Sequence, residues 1–304
     1  MKMLRQAAAL MLAVALLLSS AALAESLENT FPLPQLVPVE LSKDVTPLLL
    51  EKNQNYYAAG AGFSEDGLSY HDDSLDIRIH KIRAYDTPVA VAFIQIADAS
   101  QFRTRSAKPY PSQATTHIMA LAKNVRAIFC TNADWFVYHN AGVIYRQGKL
   151  LRNRPNEEYD GLFVDMNGDF HIVAPLTQEG VDAIEEPILN SFCFGPALVI
   201  DGEVCEIVRE ETFRQRTAIG QIDERSYVLV VTDGPMEKDS VGLNVPSLAQ
   251  LMHDLGAKQA YNLDGGNSST MLFNFTKING QKAATLRDMG DILYFATAIP
   301  DNEP

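Results

Sequence analysis

The sequence predicts an α+β fold in which a mixed or antiparallel sheet with several hairpins packs against at least two helices in a single domain. Three observations support this prediction: many short apolar or alternating runs, two-residue turn signals between them, and two segments with apolar residues at helical spacing. The chain has 304 residues, of which 47% are hydrophobic, as is ordinary for a globular protein. Its 25 basic and 38 acidic residues give a formal charge of −13. This balance argues against a general nucleic-acid binder, which needs a basic face.

The N-terminal segment has the pattern of a secretory signal peptide over residues 1–24. Lys2 and Arg5 precede an apolar run at 7–18, and Ala22-Leu23-Ala24 provides a small-residue cleavage site. The apolar run is shorter than the roughly 20 residues of a membrane-spanning helix, and no second such run follows. We therefore expect a secreted or cell-envelope protein with no stable membrane span after cleavage.

A proline-rich, extended lead-in is expected over residues 25–74, followed by one domain over 75–304. Within the lead-in, the Gly/Ser/Asp-rich stretch at 56–74 is typical of a loop. From Leu75 the apolar residues alternate with polar ones, and 89–96 is an apolar run, so both segments are predicted strands.

A helix is predicted over 113–124, feeding a buried strand at 125–130. The residues at 227–231 are β-branched or aromatic, as in a central strand covered on both faces. A second helix should begin after Asn244, with Pro246 in its first turn, and end at Gly256. The other elements are strands at 260–263 and 292–298, and four hairpin signals at Gln147-Gly148, Asn167-Gly168, Asp201-Gly202 and Asn279-Gly280.

The three cysteines are expected to be free and mostly buried. Cys193 and Cys205 lie at unequal distances from the Asp201-Gly202 turn, so a two-residue hairpin would keep them too far apart to bridge.

Four segments at strand ends or in the following turns could carry chemistry, because such positions present side chains from a rigid scaffold. They are 131–136, with the only tryptophan, 194–197, 214–220 together with Asp233-Gly234, and 262–271. In the last segment, Gly265-Gly266 could leave backbone amides open to an anion, and hydroxyl groups follow at 268–270. A phosphate or a sugar is the natural ligand of such a turn, although Asp-Gly-Gly taken alone is also a generic turn signal.

Taken singly, the charged residues of these segments remain ambiguous. Arg216 could point at the sheet surface or form a weak surface pair, and Asp134 and Asp233 are each compatible with turn positions. The sequence contains no zinc-type cluster and no G-x-S-x-G elbow.

Taken together and in order, the four segments resemble the phosphodiester glycosidase family, from about Leu75 to Ala298. The most specific matches are 216–220, Gly256-Ala257 and 262–270. The chain has Asn132-Ala133-Asp134-Trp135-Phe136 where the family usually has a glycine-rich Asn-Gly-x-Phe turn, and Asn267 where the family usually has a third glycine.

The resemblance implies hydrolysis of a phosphorylated glycan or sugar-1-phosphodiester between the anomeric carbon and the phosphate. The leaving group is then a stable anion, so donors that hold the phosphate matter more than an acid. Trp135 is a candidate for stacking on the sugar, whereas Phe136 is expected in the core. The residues implied for catalysis are Asp264, Asp233 and Arg216, the last as a fork on phosphate oxygens. Those implied for substrate and phosphate binding are Asn132, Asp134, Thr217, Gly265, Gly266, Ser268, Ser269 and Arg287.

Two alternatives stay open at this point. One is a metal-dependent phosphodiesterase using Asp134, Asp233 and Asp264 as ligands, and the other is an envelope polysaccharide-binding module without activity. The sequence requires no cofactor, although a divalent cation bridging Asp264 and phosphate is compatible with it.

Overall fold

The computed structural model describes residues 32–50, 55–207, 212–280 and 286–300. The predicted signal peptide and the first residues of the lead-in lie outside these ranges. The strands, in chain order, are β1 (Ser69–Asp72), β2 (Leu75–Ala84), β3 (Thr87–Ile96), β4 (Phe102–Ser106), β5 (Thr116–His117), β6 (Phe129–Asn132), β7 (Gly142–Arg146), β8 (Lys149–Arg154), β9 (Gly161–Asp165), β10 (Phe170–Val173), β11 (Ile188–Phe192), β12 (Ala197–Ile200), β13 (Glu203–Val204), β14 (Thr217–Asp223), β15 (Ser226–Thr232), β16 (Gln259–Asn262), β17 (Met271–Phe273), β18 (Thr276–Lys277), β19 (Asp288–Met289) and β20 (Asp291–Phe295). The α-helices in the described residues are α1 (Ile118–Asn124), α2 (Gln178–Asp182) and α3 (Val245–Asp254).

An eight-stranded sheet, in the order β1-β2-β3-β15-β14-β16-β12-β13, forms the centre of the fold. All of its strand pairs are antiparallel. Strand β15 is buried along its whole length, as predicted for a strand covered on both faces. Its side chains alternate accordingly: Val228 and Val230 pack with the apolar face of α3, whereas Tyr227 and Leu229 pack on the opposite side.

A second, five-stranded sheet in the order β18-β17-β6-β20-β4 covers that opposite side. Aromatic side chains join the two sheets: the Phe102 ring lies 5.4 Å from that of Tyr227 and 5.1 Å from that of Phe295, between ring centroids. Helix α1 covers the outer face of the five-stranded sheet through Ile118 and Leu121. The layers are therefore helix, five-stranded sheet, eight-stranded sheet and helix.

The coarse prediction of an α+β fold is confirmed, with a sheet-dominated and antiparallel architecture and few helices. Three of the turn signals form the predicted hairpins, β7–β8, β9–β10 and β12–β13. Helix α3 follows the prediction closely, because the Asn244 side chain accepts a hydrogen bond from Ser247 N (2.9 Å) and Gly256 follows the helix with a φ of +92°.

Other local predictions are wrong. Residues 69–72 form β1 and pair with β2 rather than lying in a loop, so the central sheet begins before Leu75. The first helix starts only at Ile118 because the two preceding residues pair with β19. The hairpin near Asn279-Gly280 turns instead at residues 274–275, between β17 and β18.

The three cysteines are free, and Cys130 and Cys193 are buried. The predicted register is also confirmed, since Ile200 pairs with Glu203 and Cys205 N donates to Leu198 O (3.0 Å). No helix in the described part of the chain has the length and apolarity needed to cross a membrane.

Candidate active site

The candidate site lies where the two sheets meet at their strand ends. Strand β6 ends at Asn132, the neighbouring β20 begins at Asp291, and β16 of the other sheet leads into Asp264. The Asp264 N–H donates to Ala133 O (3.1 Å), so the segments following β6 and β16 are hydrogen-bonded to each other. Residues distant in sequence are therefore brought to one edge of the molecule.

The buried Asn132 side chain holds these segments together. Its Nδ2 donates to Asp264 O (2.6 Å), and its Oδ1 accepts from Thr217 Oγ1 and Thr270 N (3.1 Å each). Thr217 is fully buried. Asn132 and Thr217, both predicted ligand-binding residues, thus lie at the site and fix the Asp264 segment through these bonds.

A cavity of about 280 Å³, here called the Asp264 cavity, opens at this junction. Burial raises the pKa of Asp264, while the Ser268 hydroxyl, the Gly265 amide and the Arg287 charge oppose that rise. The lining residues are Asn132, Ala133, Trp135, Tyr138, Asp264, Ser268, Arg287, Asp288, Met289, Gly290 and Asp291. The cavity therefore combines carboxylates, one guanidinium, a hydroxyl and aromatic rings.

Arg287 and Ser268 form the cationic, hydroxyl-bearing wall of this cavity. Arg287 Nη1 donates to Ser268 Oγ (3.2 Å), and the Ser268 hydroxyl also bonds Asp264. Arg287 is exposed at the cavity. A guanidinium beside a hydroxyl can bind phosphate oxygens by charge-assisted hydrogen bonds.

Two exposed aromatic residues also line this cavity. Trp135 is 47% exposed, Tyr138 is 41% exposed, and their ring centroids lie 5.2 Å apart. Trp135 has a φ of +62°, in the left-handed region, so the chain turns sharply there. Phe136 is fully buried, as expected. An exposed aromatic wall can stack on the apolar face of a sugar ring.

Beneath the cavity lies a buried triad of one arginine and two aspartates. Arg146 Nη2 donates to both Asp134 Oδ1 (2.7 Å) and Asp291 Oδ2 (2.8 Å). Asp134 Oδ2 accepts from Cys193 N (2.8 Å), so both of its oxygens are occupied by protein donors. Asp134 is completely buried and does not line the Asp264 cavity, so it is placed under the site rather than against a ligand.

A second cavity of about 350 Å³, the Asp233 cavity, lies on the other side of the 266–270 segment. Arg287 lines both cavities. Asp233 Oδ1 accepts from Gly280 N (2.8 Å), and burial raises the pKa of this carboxyl, opposed by that amide and by Lys277. The buried Ser269 hydroxyl, also in this wall, has no hydrogen-bond partner among the described residues. Asp233 and Asp264 thus lie in different cavities.

The prediction that the backbone amides of Gly265 and Gly266 are open to an anion is wrong. Gly266 N donates to Gln215 O (2.9 Å), and the Gly265 amide bonds the Asp264 carboxylate. Both amides are therefore occupied within the protein, that of Gly266 by a distant backbone carbonyl and that of Gly265 by the neighbouring carboxylate. A Cβ at Gly265 would lie only 3.0 Å from Gln215 O, so the close approach of these two segments explains the need for glycine there.

The structure places Arg216 next to the glycine pair but engages its guanidinium with the backbone. Nε donates to Leu243 O (3.0 Å) and Nη2 to Thr212 O (2.6 Å), and the side chain is 6% exposed. Neither cavity is lined by Arg216. The cation that does line both cavities is Arg287, which the resemblance implies for phosphate binding.

The three aspartates of the metal-dependent alternative do not form one cluster. Asp134 is bound to Arg146, while Asp233 and Asp264 line separate cavities. Within the described ranges, no group of three or more His, Cys, Asp or Glu side chains is arranged to hold a metal ion.

Sequence reasoning did not identify Tyr138, Arg146 or Asp291 as site residues. Asp291 directly precedes an apolar run, and Asp134 follows another closely. Such positions at strand ends could have marked Asp291 as a candidate site residue. What brings them together is the long-range pairing of Ile292 with Asn132, which places Asp291 at the cavity.

Comparison with known proteins adds a family and two related folds. A sequence model of the phosphodiester glycosidase family matches residues 123–296, more than half of the chain. The catalytic domain of zebrafish N-acetylglucosamine-1-phosphodiester alpha-N-acetylglucosaminidase, solved as auto-inhibited by its pro-peptide, superposes with a TM-score of 0.59. The identity is 18%, over 80% of this chain and 87% of that chain.

A hypothetical protein from Synechocystis superposes with a TM-score of 0.50 and 14% identity. The match covers 74% of this chain and 62% of that one. At these identities the structural likenesses establish a common fold. Among curated proteins, no match is found.

Proposed function

Because the chain belongs to the phosphodiester glycosidase family, we propose that it hydrolyses the bond between the anomeric carbon of a sugar and a phosphodiester. The observation that carries the proposal is the composition of the Asp264 cavity, where Asp264, the Arg287–Ser268 pair and the Trp135–Tyr138 wall line one space. These three elements correspond to the three parts of such a substrate: the reacting carbon, the phosphate and the sugar ring.

The sugar stacks on Trp135, whose exposed ring lines the cavity beside Tyr138. The phosphate binds to Arg287 and to the Ser268 hydroxyl. These donors stabilise the negative charge that develops on the phosphate as the bond to the sugar breaks.

Asp264 faces the anomeric carbon and stabilises the positive charge that grows on the sugar as that bond lengthens. The Ser268 hydroxyl, the Gly265 amide and the Arg287 charge favour the ionised form of this carboxyl, and burial opposes it. Because the departing phosphate is already a stable anion, its protonation is not required for departure.

The Asp233 cavity receives the group on the far side of the phosphate. Arg287 lines both cavities, so a phosphate held there has the sugar on one side and this group on the other. Asp233 and Lys277 then contact that group. Arg216 acts as a positioning residue, since it ties the segments that pack on Gly265.

We extend the proposal to the place of action. Residues 1–24 have the pattern of a signal peptide, so the enzyme acts outside the cytoplasm on phosphorylated glycans.

The direct test is hydrolysis of a sugar-1-phosphodiester in ¹⁸O-enriched water. Cleavage at the anomeric carbon places the label on the sugar, whereas label on the phosphate would mean P–O cleavage and would refute the proposal. Binding of the glycan without released reducing sugar would instead support the non-catalytic module.

The variant Asp264→Asn should lower kcat at least about 100-fold while the far-UV circular dichroism spectrum stays unchanged. Asp223→Asn is the control, because this exposed aspartate lies at the far end of β14 and should retain full activity. Full activity of Asp264→Asn would dismiss the site.

A further inference from the structure

The buried triad beneath the Asp264 cavity holds two carboxylates but one cation. The same Arg146 nitrogen, Nη2, donates to Asp134 at 2.7 Å and to Asp291 at 2.8 Å. All three side chains are nearly excluded from solvent, with exposed side-chain fractions of 6% for Arg146, 0% for Asp134 and 2% for Asp291. If both aspartates are ionised, the triad by itself carries a net charge of −1 in a low-dielectric environment.

The other hydrogen bonds of the guanidinium go to neutral groups. Arg146 Nη1 donates to the carbonyls of Tyr145 and Ser191. The guanidinium carbon lies 4.4 Å from the centre of the Phe136 ring, and that ring is fully buried. The two carboxylates therefore share one cation through the two hydrogens of Nη2.

The two aspartates differ in what else they face. Asp134 has both oxygens bonded by protein donors and lines no wall of the cavity, whereas Asp291 lines the cavity together with Asp264. A proton or a water molecule in the cavity can therefore reach Asp291 but not Asp134.

We infer that Asp291 is the general base that activates the attacking water, and that Asp134 keeps Asp291 basic by competing with it for Arg146. This inference rests on the proposed function, and it assigns roles to two carboxylates that the proposed function leaves unused.

In the step, a water oxygen forms the bond to the anomeric carbon while one water proton moves to an Asp291 carboxylate oxygen. The bond from the carbon to the phosphate oxygen breaks, and its electron pair leaves with the phosphate. Asp291 then releases the proton to solvent through the cavity. A base with a pKa near the working pH is the most effective for such a transfer.

The electrostatic environment agrees with this assignment. Burial, opposed by Arg146 and assisted by Asp134, raises the pKa of Asp291 to about 7, and the Asp264 charge contributes in the same direction. Arg287 and Asp288 also line the cavity. His139 and Arg152 both interact electrostatically with Asp134, and burial lowers the pKa of each of these two groups.

The decisive experiment compares pH–rate profiles of the wild type, Asp134→Asn and Asp291→Asn on one sugar-1-phosphodiester. In Asp134→Asn, Arg146 pairs with Asp291 alone, which favours the ionised carboxylate and lowers the pKa of Asp291. The acidic limb of kcat should therefore move to lower pH by about one unit or more, and the plateau should fall because the base is weaker.

Asp291→Asn should lower kcat about 10²- to 10⁴-fold. Because the asparagine amide still fills the position of the carboxylate, Asp291→Ala is made in parallel, and added formate should raise the rate of that variant. Asp165→Asn is the control, because Asp165 is a buried aspartate elsewhere that pairs with His171 (2.9 Å), and its variant should leave the acidic limb in place.

Each outcome is decisive. If Asp264→Asn is inactive while Asp291→Asn retains kcat within about threefold of the wild type, well short of the loss expected for a general base, or if the acidic limb of Asp134→Asn does not move, the inference fails and the proposed function stands. If the wild type releases no sugar from any phosphodiester, the proposed function fails and the base assignment with it.

Discussion

Replacing Arg146 with methionine would leave the carboxylates of Asp134 and Asp291 buried without their shared cation. Methionine retains much of the apolar stem that packs on the Phe136 ring, so the main change is the loss of charge and of hydrogen bonds. Removing one partner of a buried ion pair costs about 3–5 kcal/mol. At about pH 8 we expect the free energy of unfolding of Arg146→Met to fall by about that amount.

The loss should depend on pH. Burial raises the pKa of Asp291 to about 7 in the wild type, and this pKa rises further without Arg146, because the cation that favours the ionised carboxylate is gone. Above about pH 7 the folded variant therefore keeps a proton on Asp291 that the folded wild type has lost, so the cost of the substitution grows with pH by up to about 1.4 kcal/mol per pH unit. We therefore expect the cost to be lower at about pH 5 to 6.5 than at about pH 8, by about 1 kcal/mol.

Urea denaturation followed by far-UV circular dichroism at about pH 5, 6.5 and 8 measures this dependence. Arg152→Met is the matched control, because Arg152 is also buried but donates to the carbonyls of Phe136 and His139 and interacts with Asp134 only through its charge, without an ion pair among the described residues. Its cost should vary much less with pH. An equal cost of Arg146→Met at the lowest and highest pH would refute the reasoning, because it would mean that the two carboxylates do not depend on this cation.

Two further substitutions test the walls of the site. Arg287→Ala should lower kcat/KM about 10- to 100-fold, since a charge-assisted hydrogen bond contributes about 1.5–3 kcal/mol, and steady-state kinetics on the phosphodiester measures the loss; an unchanged value would remove Arg287 from the phosphate site. Asn132→Ala should lower the free energy of unfolding by about 2–5 kcal/mol, because it leaves Asp264 O and Thr270 N without their partner. Thr217→Val, which removes a single bond to Asn132, should cost less in the same urea titration, and equal costs would contradict the role assigned to Asn132.

Much of the fold could be predicted because its signals are local. The hairpins at Gln147-Gly148, Asn167-Gly168 and Asp201-Gly202 follow from short turns that dictate which strands pair. The insertion of β15 between β3 and β14 could not be predicted in this way. It joins β15 to a strand that lies far away in the sequence, and many strand orders are compatible with the same apolar runs.

In the candidate site, too, local features could be predicted from the sequence, whereas contacts between distant segments could not. Asp264 and Trp135 belong to local motifs, and both line the cavity. The prediction of open amides at Gly265 and Gly266 rests only on the conformational freedom of glycine, which says nothing about acceptors that other segments supply. Gln215 O occupies the Gly266 amide in the fold. Whether an amide is open to a ligand is thus a tertiary property.

In the segment 132–136 this chain differs from the glycine-rich turn that is usual in the family, and two neighbouring side chains of this segment point in different directions. Asp134 points its carboxylate into the buried triad, whereas the next residue, Trp135, stands exposed at the cavity. Trp135 has a left-handed backbone conformation, and this lets its side chain point away from that of Asp134. A change at either position should therefore affect a different property: Asp134 the pH dependence through Arg146, and Trp135 the affinity for the sugar. Asp264, the carboxylate proposed to act at the anomeric carbon, is hydrogen-bonded to Ser268 and Gly265 rather than to either of these side chains, so the proposed reaction can be retained while both properties vary.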